Sequence, residues 1–498
     1  MPFAGGERRS LVQGAMRMIV EQEERTFSVA SPSAREAIGA VSTKFEEFGE
    51  EVSSRDPLGW PGYEDQLARA RERSGERESV VTGETYVGGT PVVILAFDFR
   101  FLGGSMGEAT GRKIVDAFER ARESRRAVVS LVATGGARMQ EGMRSLIQLQ
   151  KIADACMSAH SEGIPHVSVV RDPTTGGAWA SLAANADFLI GVKGAAVSFA
   201  GSRIREEEST DDAFTATGKH RDGFIDLEVE AEEVPGALET VVGLLSPDET
   251  GPLAPPEVPR ALGYARLPRE AWASIMRARR PQRPKAEAYL DDYFEHRVEL
   301  SGDRAGGVDG GMLCGFGRRD GGRTIAFVAQ NGTANTAAGF RTARRLMELA
   351  ERLQKPVLTI IDTPGAGNRA ADEREGIGTA IAEMFCAVAD LSVPITSLVI
   401  GEGGSGGALA LAAPDNLWIT PDGYFAVIAP ESAAAIVEKD RSKAREISEH
   451  MKLMPQDLVE LGVVRGVAPH RRRPARALRM SYDAFRRWVR DRSRKERV

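Results

Sequence analysis

The chain has 498 residues, more than one hydrophobic core normally organises, so at least two domains are expected. Its formal net charge is −6, which argues against non-specific nucleic-acid binding over the whole surface. No run of 18 or more apolar residues predicts a membrane span, and no apolar stretch of signal length begins the chain. We therefore expect a cytoplasmic protein without membrane contact.

Cysteine and histidine are too scattered to predict a metal site. Cys156, Cys314 and Cys386 lie far apart with no C-x-x-C pair, which excludes a four-cysteine zinc ribbon and a disulfide framework. The six histidines show neither H-x-x-x-H nor H-E-x-x-H spacing. The prediction is a chain without metal or zinc.

The first predicted domain, residues 53–250, follows an N-terminal extension over residues 1–52. A helix and a strand hairpin begin it, and helix and strand periods then alternate. Such alternation predicts an α/β fold with parallel strands. In chain order, the predicted elements are a helix at 63–74, strands at 80–86 and 91–97, a helix at 108–123, a strand at 127–133, a helix at 139–162, a strand at 166–171, a helix from 177 and a strand at 187–192.

A connector with five prolines, residues 246–259, leads into a second predicted domain over residues 251–470. This domain repeats the order of the first. Its predicted elements are strands at 311–317 and 323–330, a helix at 339–354, a strand at 356–362, a helix at 373–390, a strand at 394–400 and a helix from 406. The C-terminal tail, residues 471–498, is basic: it forms either a solvated helix or a docking segment for an acidic partner or substrate phosphates.

A two-part glycine motif occurs once in each half of the chain. In the first half the turns are Gly135-Gly136-Ala137 and Gly176-Gly177-Ala178. In the second half they are Pro364-Gly365-Ala366 and Gly406-Gly407-Ala408. Pairing Gly177 with Gly407 makes the spacings between turns 41 and 42 residues. A repeat of this length predicts two copies of one fold and two related sites.

The glycine turns predict sites for a developing negative charge. Each turn lies between an apolar strand and a helix, where backbone N–H groups at the helix N-terminus have no partner. Two such turns can direct two N–H donors at one oxygen, a geometry suited to a thioester enolate. Glycine lets the substrate carbonyl approach the backbone closely.

Several other motifs support alternative functions. Gly401-x-Gly403-x-x-Gly406 matches a dinucleotide-binding fingerprint. The G-x-S-x-G string around Ser405 is typical of a serine hydrolase, with His450 or His470 as a possible partner. Glu141 could act as an acid or base, although an exposed helical position is the simpler expectation. Met451-Lys452-Leu453 is similar to a biotinylation tripeptide but lacks the glycine-rich β surroundings.

The motifs of the first half resemble the β subunit of bacterial acetyl-CoA carboxylase carboxyltransferase. They are Asp56-Pro57-Leu58, Gly103-Gly104-Ser105-Met106-Gly107, Gly135-Gly136-Ala137-Arg138-Met139-Gln140-Glu141 and Asp172-Pro173-Thr174-Thr175-Gly176-Gly177. Those of the second half resemble the α subunit. They are Arg280-Pro281-Gln282-Arg283-Pro284, Ser301-Gly302-Asp303-Arg304, Ile361-Asp362-Thr363-Pro364-Gly365-Ala366, the segment from Val399 to Ala410, and Pro430-Glu431. The chain thus resembles a fusion of β then α.

The resemblance implies two tandem crotonase-like (ClpP/crotonase) domains, the first for acyl-CoA and the second for biotin. It also implies a homo-oligomer, a dimer or a trimer of dimers, with an active site shared between chains. Carboxybiotin would be supplied in trans on a biotin carboxyl carrier protein, which a separate biotin carboxylase charges. CO2 would pass to acetyl-CoA, or to a short acyl-CoA such as propionyl-CoA, giving malonyl-CoA or methylmalonyl-CoA.

The same resemblance assigns roles to the glycine turns. The N–H groups around Gly136, Ala137, Gly176 and Gly177 would hold the thioester oxygen. Those around Gly365, Ala366, Gly406 and Gly407 would hold the biotin ureido oxygen. Arg138 would contact a CoA phosphate.

Two departures from the family pattern leave a second enzymatic reading open. The β subunit's zinc ribbon is absent, and only a short segment separates Gln330 from Gly339, where the α subunit usually has a longer basic loop. The alternative is a malonyl-thioester decarboxylase, or a transcarboxylase of secondary metabolism, that works without biotin. A non-enzymatic acyl-CoA-binding scaffold is the third reading.

Overall fold

The computed structural model describes residues 33–201, 211–248, 252–319 and 322–471. The chain divides into two compact units between Ser246 and Pro247, within the proline-containing connector. Each unit is built around one eight-stranded sheet.

The first unit alternates strands and helices after an antiparallel beginning. Its described elements are α1 (Ala34–Val41), β1 (Thr43–Phe48), α2 (Tyr63–Ser74), β2 (Val80–Val87), β3 (Thr90–Phe97), α3 (Glu108–Ser124), β4 (Ala127–Thr134), α4 (Met143–Leu146), α5 (Gln148–Ser161), β5 (His166–Thr175), α6 (Gly177–Ser181), β6 (Phe188–Val192), β7 (Val197–Ser198), α7 (Ala216–Arg221), β8 (Leu227–Val229) and α8 (Val234–Leu245). The sheet order is β1-β2-β3-β4-β5-β6-β8, and β7 pairs with β5. Pairing is antiparallel from β1 to β3 and parallel from β3 onward.

The second unit has the same plan. Its described elements are α9 (Ala271–Ala278), α10 (Ala286–Tyr293), β9 (His296–Leu300), β10 (Met312–Arg318), β11 (Ile325–Gln330), α11 (Ala337–Arg352), β12 (Val357–Thr363), α12 (Ala370–Arg374), α13 (Ile377–Asp390), β13 (Ile395–Gly404), α14 (Ser405–Leu409), β14 (Leu417–Ile419), β15 (Tyr424–Ala426), α15 (Pro430–Val437), α16 (Ala444–His450), α17 (Pro455–Glu460) and β16 (Gly466–Val467). The sheet order is β16-β14-β13-β12-β11-β10-β9, and β15 pairs with β13.

The central strands explain why the sheets are mostly parallel. Every residue of β4 and of β12 is buried, so both faces of these strands are covered. Continuous apolar runs of this kind suit parallel strands flanked by helices. The α/β expectation is therefore confirmed in both units.

The helices that cover the sheets are amphipathic. In α3 the buried residues Ile114, Ala117, Phe118 and Ala121 recur at helical spacing and form one apolar face. Helix α11 begins at an N-cap, Thr336, whose hydroxyl accepts a hydrogen bond from the Gly339 N–H. The sequence predicted both helices to within two residues.

Two long predicted helices are wrong because each is interrupted. The predicted helix at 139–162 is a 3-10 turn, the short helix α4 and then α5, with Gly142 at φ 52°. The predicted helix at 373–390 is divided into α12 and α13 by Gly376, at φ 78°. Glycine adopts this left-handed conformation readily, so the chain turns there.

The structural repeat is more regular than the sequence suggested. Strands β5 and β13 begin 229 positions apart, at His166 and Ile395, and α5 and α13 show the same offset. Two isolated bridges, Met106 with Ala137 and Asn335 with Ala366, show it too. The two copies therefore correspond without insertion from the start of the first turn to the second.

None of the described helices has the length and apolar character needed to cross a membrane. Of the predicted extension over residues 1–52, residues 1–32 lie outside the described residues, as does the tail from 472. The rest of that extension contains α1 and β1, and β1 pairs with β2 of the first sheet.

Candidate functional site

In the first unit the two glycine turns lie against each other. Thr134 in β4 pairs with Thr174 in β5, so the carboxyl ends of these parallel strands meet. A Cβ added to Gly176 would lie 2.9 Å from the Gly136 Cα, too close for any side chain. Both glycines also have left-handed φ values, 104° at Gly136 and 71° at Gly176. The structure thus brings the predicted residues of this half together.

Hydrogen bonds distinguish the N–H groups of the first turn. The Gly136 N–H donates to the Thr134 hydroxyl at 3.0 Å and is therefore engaged. Met106 bonds to both neighbours of Ala137. Its N–H donates to the Gly136 carbonyl, and its carbonyl accepts from the Arg138 N–H, both at 2.8 Å. Because backbone groups alternate along an extended segment, the N–H of Ala137 faces away from Met106.

In the second turn of this unit, too, a glycine N–H is engaged and the N–H of the next residue is not. The Gly176 N–H donates to the carbonyls of Ser198 and Phe199 at 3.1 and 3.0 Å. Gly177 is the first residue of α6, so its N–H has no acceptor in a preceding helical turn. Ala137 and Gly177 are therefore the two candidate donors in the first unit.

The second unit reproduces these contacts. The Gly365 N–H donates to the Thr363 hydroxyl at 3.1 Å. Asn335 occupies the position of Met106: its N–H donates to the Gly365 carbonyl at 3.3 Å, and its carbonyl accepts from the Gly367 N–H at 2.8 Å. A Cβ on Gly407 would lie 2.5 Å from the Ala366 nitrogen. The predicted residues Gly365, Ala366 and Gly407 therefore also lie together, next to Gly406.

The register of the repeat corrects one predicted equivalence. Thr174 pairs with Thr134, and Gly403 pairs with Thr363, so Gly177 corresponds to Gly406 and not to Gly407. By the same register Ser405 stands opposite Gly176, whereas the sequence placed it opposite Thr175. The spacing between turns is then identical in the two units, and the candidate donors in the second unit are Ala366 and Gly406.

A buried group of charged residues supports the first turn; we call Glu78, Arg138 and Glu141 the Arg138 cluster. The side chains of Glu78 and Arg138 have no solvent exposure, and that of Glu141 is 2% exposed. Arg138 Nη2 donates to Glu78 Oε1 at 2.5 Å, and Nη1 donates to Glu141 Oε1 at 3.1 Å. The prediction that Arg138 contacts a CoA phosphate is therefore wrong, because protein carboxylates enclose its guanidinium.

The expectation of an exposed Glu141 is also wrong. Its carboxylate accepts hydrogen bonds from the Tyr63 hydroxyl and from the Glu108 N–H, both at 2.5 Å. Burial alone would raise the pKa of Glu78, but the charge of Arg138 and hydrogen bonds from Arg138, Ser54 and the Ser79 N–H hold that pKa below its usual value. The carboxylate of Glu141 is therefore fully engaged in hydrogen bonds and is not available as a general base.

A different buried ion pair lies beside the second turn. Asp362, at the end of β12, accepts hydrogen bonds from the guanidinium of Arg283 and, at 3.1 Å, from the Glu402 N–H. The ammonium of Lys285 lies 3.6 Å from its other oxygen. In the sequence, Arg283, Asp362 and Glu402 stood out only as parts of family motifs, and Lys285 lay outside those motifs. An acidic residue ending an apolar strand was the signal that could have identified Asp362.

A further polar group surrounds Glu402, two residues before Gly404. Its carboxylate accepts from Arg279 at 2.9 Å and from the Tyr424 hydroxyl at 2.7 Å. Arg279 also binds Glu431, and this hydrogen bond is the largest cause of the lowered pKa of the Glu431 carboxyl. Pro430-Glu431, quoted as a family motif, therefore connects to the strand that ends at the second turn.

The short segment between Gln330 and Gly339 is part of the turn. The Gly332 N–H donates to the Asp362 carbonyl at 2.7 Å, and the Thr333 carbonyl accepts from the Thr363 hydroxyl at 2.7 Å. With the two Asn335 bonds, these contacts hold the segment against Gly365. The absence of a longer loop in the sequence therefore leaves the turn intact.

The alternative motifs do not form the local structures that their suggested functions require. Gly401 and Gly403 lie inside β13, and Gly403 pairs with Thr363, so the dinucleotide fingerprint does not form its loop. In the described part of the chain, no histidine hydrogen-bonds Ser405, and no group of three His, Cys, Asp or Glu side chains could hold a metal ion. The buried Leu453 packs in a core cluster, so Lys452 lies beside helix α16 and not in a β-hairpin.

Known proteins match this chain in sequence and in fold. The family model described as acetyl co-enzyme A carboxylase carboxyltransferase-like matches residues 263–484. The acetyl-coenzyme A carboxylase carboxyl transferase subunits beta/alpha of Salinispora tropica are 39% identical over 439 residues, covering 83% of this chain and 78% of the relative. The probable biotin-dependent acyl-coenzyme A carboxylase beta3 subunit of Mycobacterium tuberculosis is 33% identical, covering 83% and 85%.

A solved structure supports the fold. The hexameric transcarboxylase 12S core with hydrolysed methylmalonyl-coenzyme A superposes with a TM-score of 0.74 at 21% identity, covering 94% of this chain and 93% of that chain. This confirms the prediction of two tandem crotonase-like domains. Together with this fold, the sequence relatives define an enzyme of the carboxyltransferase class. The chain belongs to the acetyl-CoA carboxylase carboxyltransferase family, in its fused β–α form.

Proposed function

We propose that this chain is the carboxyltransferase component of an acyl-CoA carboxylase that makes malonyl-CoA from acetyl-CoA, or methylmalonyl-CoA from propionyl-CoA. The two turn pairs, equivalent position by position, are the observation that carries this proposal. An enzyme that holds two different carbonyl-type oxygens needs two such pairs of donors. The relatives named for biotin-dependent acyl-CoA carboxylation support the same reaction.

The first turn pair is the proposed site for the thioester oxygen. The N–H groups of Ala137 and Gly177 would donate to this oxygen, and the side-chain-free Gly136 and Gly176 allow the two turns to approach each other. Donors fixed before reaction stabilise the negative charge of an enolate without reorganising. The N-domain of the chain, residues 53–250, would therefore bind the acyl-CoA.

The second turn pair is the proposed site for the ureido oxygen of biotin. Ala366 and Gly406 would supply the N–H groups, while Gly365 and Gly407 keep the turns close. A Cβ added to Gly406 meets no atom within 4 Å, so the backbone at this position borders open space that a ligand could fill. The C-domain, residues 251–470, would thus receive the biotin of a carrier protein.

When bound, carboxybiotin would supply the CO2, and its ureido nitrogen, once the CO2 has left, would accept the α-proton of the acyl-CoA. The protein would orient the two ligands through backbone donors and stabilise the enolate oxygen. No side chain is required as a base, which agrees with the burial of Glu141 in the Arg138 cluster. Carboxybiotin would arrive in trans on a biotin carboxyl carrier protein charged by a biotin carboxylase.

Assembly into a homo-oligomer, a dimer or a trimer of dimers, is part of the proposal, as is a cytoplasmic location. Large apolar side chains are exposed next to the first turn, at Met139, Met143 and Ile147. Exposed apolar surface of this kind is typical of subunit interfaces. The transcarboxylase 12S core, which has the same fold, is described as a hexamer.

One assay tests the proposal. Purified protein is incubated with malonyl-CoA, with and without free biotin or biocytin, and acetyl-CoA is measured. Turnover that requires biotin supports carboxyl transfer. Turnover without biotin would instead show a malonyl-thioester decarboxylase, and no turnover would favour an acyl-CoA-binding scaffold. Repeating the assay with methylmalonyl-CoA identifies the preferred acyl group.

A further inference from the structure

Arg138 joins the first turn to three distant parts of the chain, around Ser54, Glu78 and Ser105. The Arg138 backbone belongs to the turn, because its N–H bonds the Met106 carbonyl. Its guanidinium reaches Ser54 Oγ at 2.6 Å and the Ser105 carbonyl at 2.5 Å, besides Glu78 and Glu141. The residue after Ala137 is therefore held at both its backbone and its side chain.

Stability alone does not account for this cluster. Moving three charged groups out of water is costly, and the mutual attraction of such groups often does no more than offset that cost. The second unit shows that the turn forms without it. Gly367 stands where Arg138 stands, and it makes the same backbone bond to Asn335 without any side chain. Forming the turn is thus not what the guanidinium adds.

We propose that Arg138 is a positioning residue that fixes the direction of the Ala137 N–H toward the acyl-CoA thioester oxygen, with Glu78 and Glu141 as its anchors. The inference rests on the proposed function of the first turn pair. The Ala137 N–H belongs to the peptide between Gly136 and Ala137, one residue before Arg138, so a displacement of the Arg138 backbone would shift Ala137 and move that peptide with it. A guanidinium with five donors in a rigid plane can hold that backbone from several directions.

Glu141 connects the Arg138 cluster to helix α2. It accepts the Tyr63 hydroxyl, and Tyr63 is itself fully buried. The cluster therefore fastens the turn to a helix that belongs to a different part of the fold. Tyr63→Phe is a mild change to the cluster, since it removes the hydroxyl that donates to Glu141 and accepts from Arg138 Nη1 at 3.3 Å but leaves every charge paired.

The experiment compares Tyr63→Phe and Arg138→Lys with the wild-type chain. Lysine keeps a positive charge beside Glu78 but loses the planar set of donors. The matched control is Tyr293→Phe, which removes a mostly buried hydroxyl that donates to the Glu257 carbonyl at 2.9 Å in the second unit. Three quantities are measured: kcat and KM for malonyl-CoA in the biotin-dependent assay, the melting temperature, and amide hydrogen exchange.

We expect kcat to fall about tenfold to a hundredfold in Tyr63→Phe and Arg138→Lys, because small displacements of a catalytic donor have effects of this size. KM should change by less than about twofold, since binding of the rest of the substrate is kept. Exchange should accelerate in the peptide over residues 135–142. The corresponding peptide over residues 364–371 is the internal control and should not change, and Tyr293→Phe should match the wild type.

Two results would overturn the inference. One is wild-type kcat in both variants. The other is faster exchange in both peptides with a lower melting temperature, which would show a general structural role. Failure of the proposed function looks different: the wild type itself would then lack biotin-dependent turnover. The exchange comparison would still report whether Arg138 and Tyr63 hold the 135–142 segment.

Discussion

Ser405 stands at the structural position of Gly176, and both residues have left-handed backbone conformations, with φ of 56° and 71°. Serine rarely adopts this conformation, whereas glycine does so at no steric cost. Ser405 is exposed and begins α14, directly beside the proposed biotin donor Gly406. The backbone of Ser405 is therefore strained, whereas that of its counterpart, Gly176, is not.

Replacing Ser405 by Gly should stabilise the protein by about 1 kcal/mol, because the strain of a non-glycine left-handed residue is removed. The reverse change, Gly176→Ala, should destabilise by more than this, since its Cβ would lie 2.9 Å from the Gly136 Cα. Urea unfolding midpoints of the two variants measure both effects. A lower midpoint for Ser405→Gly would mean that the serine side chain contributes more than the strain costs.

A side chain at Gly406 should block carboxyl transfer without disturbing the fold. The added atoms would project into open space, where the ligand oxygen must approach. Gly406→Val should therefore lower biotin-dependent turnover by about a hundredfold or more. Gly378→Val is the matched control, because Gly378 is also a helical glycine with no atom within 4 Å of its added Cβ. Equal turnover in both variants would remove Gly406 from the site.

Gly407→Val should behave differently from Gly406→Val. Its Cβ would lie 2.5 Å from the Ala366 backbone nitrogen, so the turn itself must shift. We expect both a lower melting temperature and loss of turnover. Circular dichroism melting together with the assay separates this combined loss from the purely functional loss at Gly406. An unchanged melting temperature would contradict the tight contact between the two turns.

Low pH should lower the stability of the first unit through protonation of Glu78. The pKa of this carboxyl is lowered in the folded protein, so its contribution to stability is present above the unfolded-state pKa of about 4.3 and is lost as pH falls toward the folded value. Glu78→Gln should cost about 3 kcal/mol near neutral pH by leaving Arg138 short of a carboxylate. The difference from wild type should shrink below about pH 4. Urea midpoints from pH 3 to 7 test this; a constant difference would contradict it.

In the second unit, a buried ion pair should contribute more to the free energy of unfolding than an exposed one. Asp362→Asn leaves the nearly buried Arg283 without its carboxylate and should destabilise by about 3 kcal/mol. Glu348→Gln removes one of the two carboxylates paired with the exposed Arg344 and should change stability by less than about 0.5 kcal/mol. Unfolding midpoints of the two variants provide the comparison. Similar values would show that Asp362 is not a structural anchor of the second turn.

The three cysteines should differ in the reactivity of their thiols. Burial raises the pKa of Cys156 to about 12 and also raises that of Cys314, so neither forms a reactive thiolate in the folded chain. Cys386 is exposed. A disulfide reagent at pH 8 should therefore label Cys386 rapidly and the other two only after unfolding, as mass spectrometry of the peptides would show. Rapid labelling of Cys156 would indicate that α5 opens readily.

Much of the fold was predictable because apolar patterns report burial directly. The central strands β4 and β12 are continuous apolar runs, and glycines mark where they end. The one-residue error at Gly407 arose because Gly-Gly pairs look alike in sequence, whereas strand register aligns Gly406 with Gly177. The breaks at Gly142 and Gly376 were hidden because a glycine inside a helical pattern is often tolerated.

The site was predictable in outline but not in its supports. Strand-to-helix turns are local features, so Gly136, Gly177, Gly365 and Gly406 could be recognised from their neighbours. The Arg138 cluster could not, because two of its members, Glu78 and Arg138, are 60 positions apart. Whether an arginine after a turn faces solvent or carboxylates depends on which distant segments pack beneath it.

The constant offset of 229 positions makes the two turn regions equal in length, so either could be exchanged for the other without lengthening or shortening the chain. A chimera carrying two copies of one turn region is thus geometrically admissible. Any difference in what the two regions hold must then come from side-chain identity at matched positions, such as Arg138 against Gly367 and Gly176 against Ser405. Ligand choice in this scaffold is a matter of substitution rather than of backbone redesign.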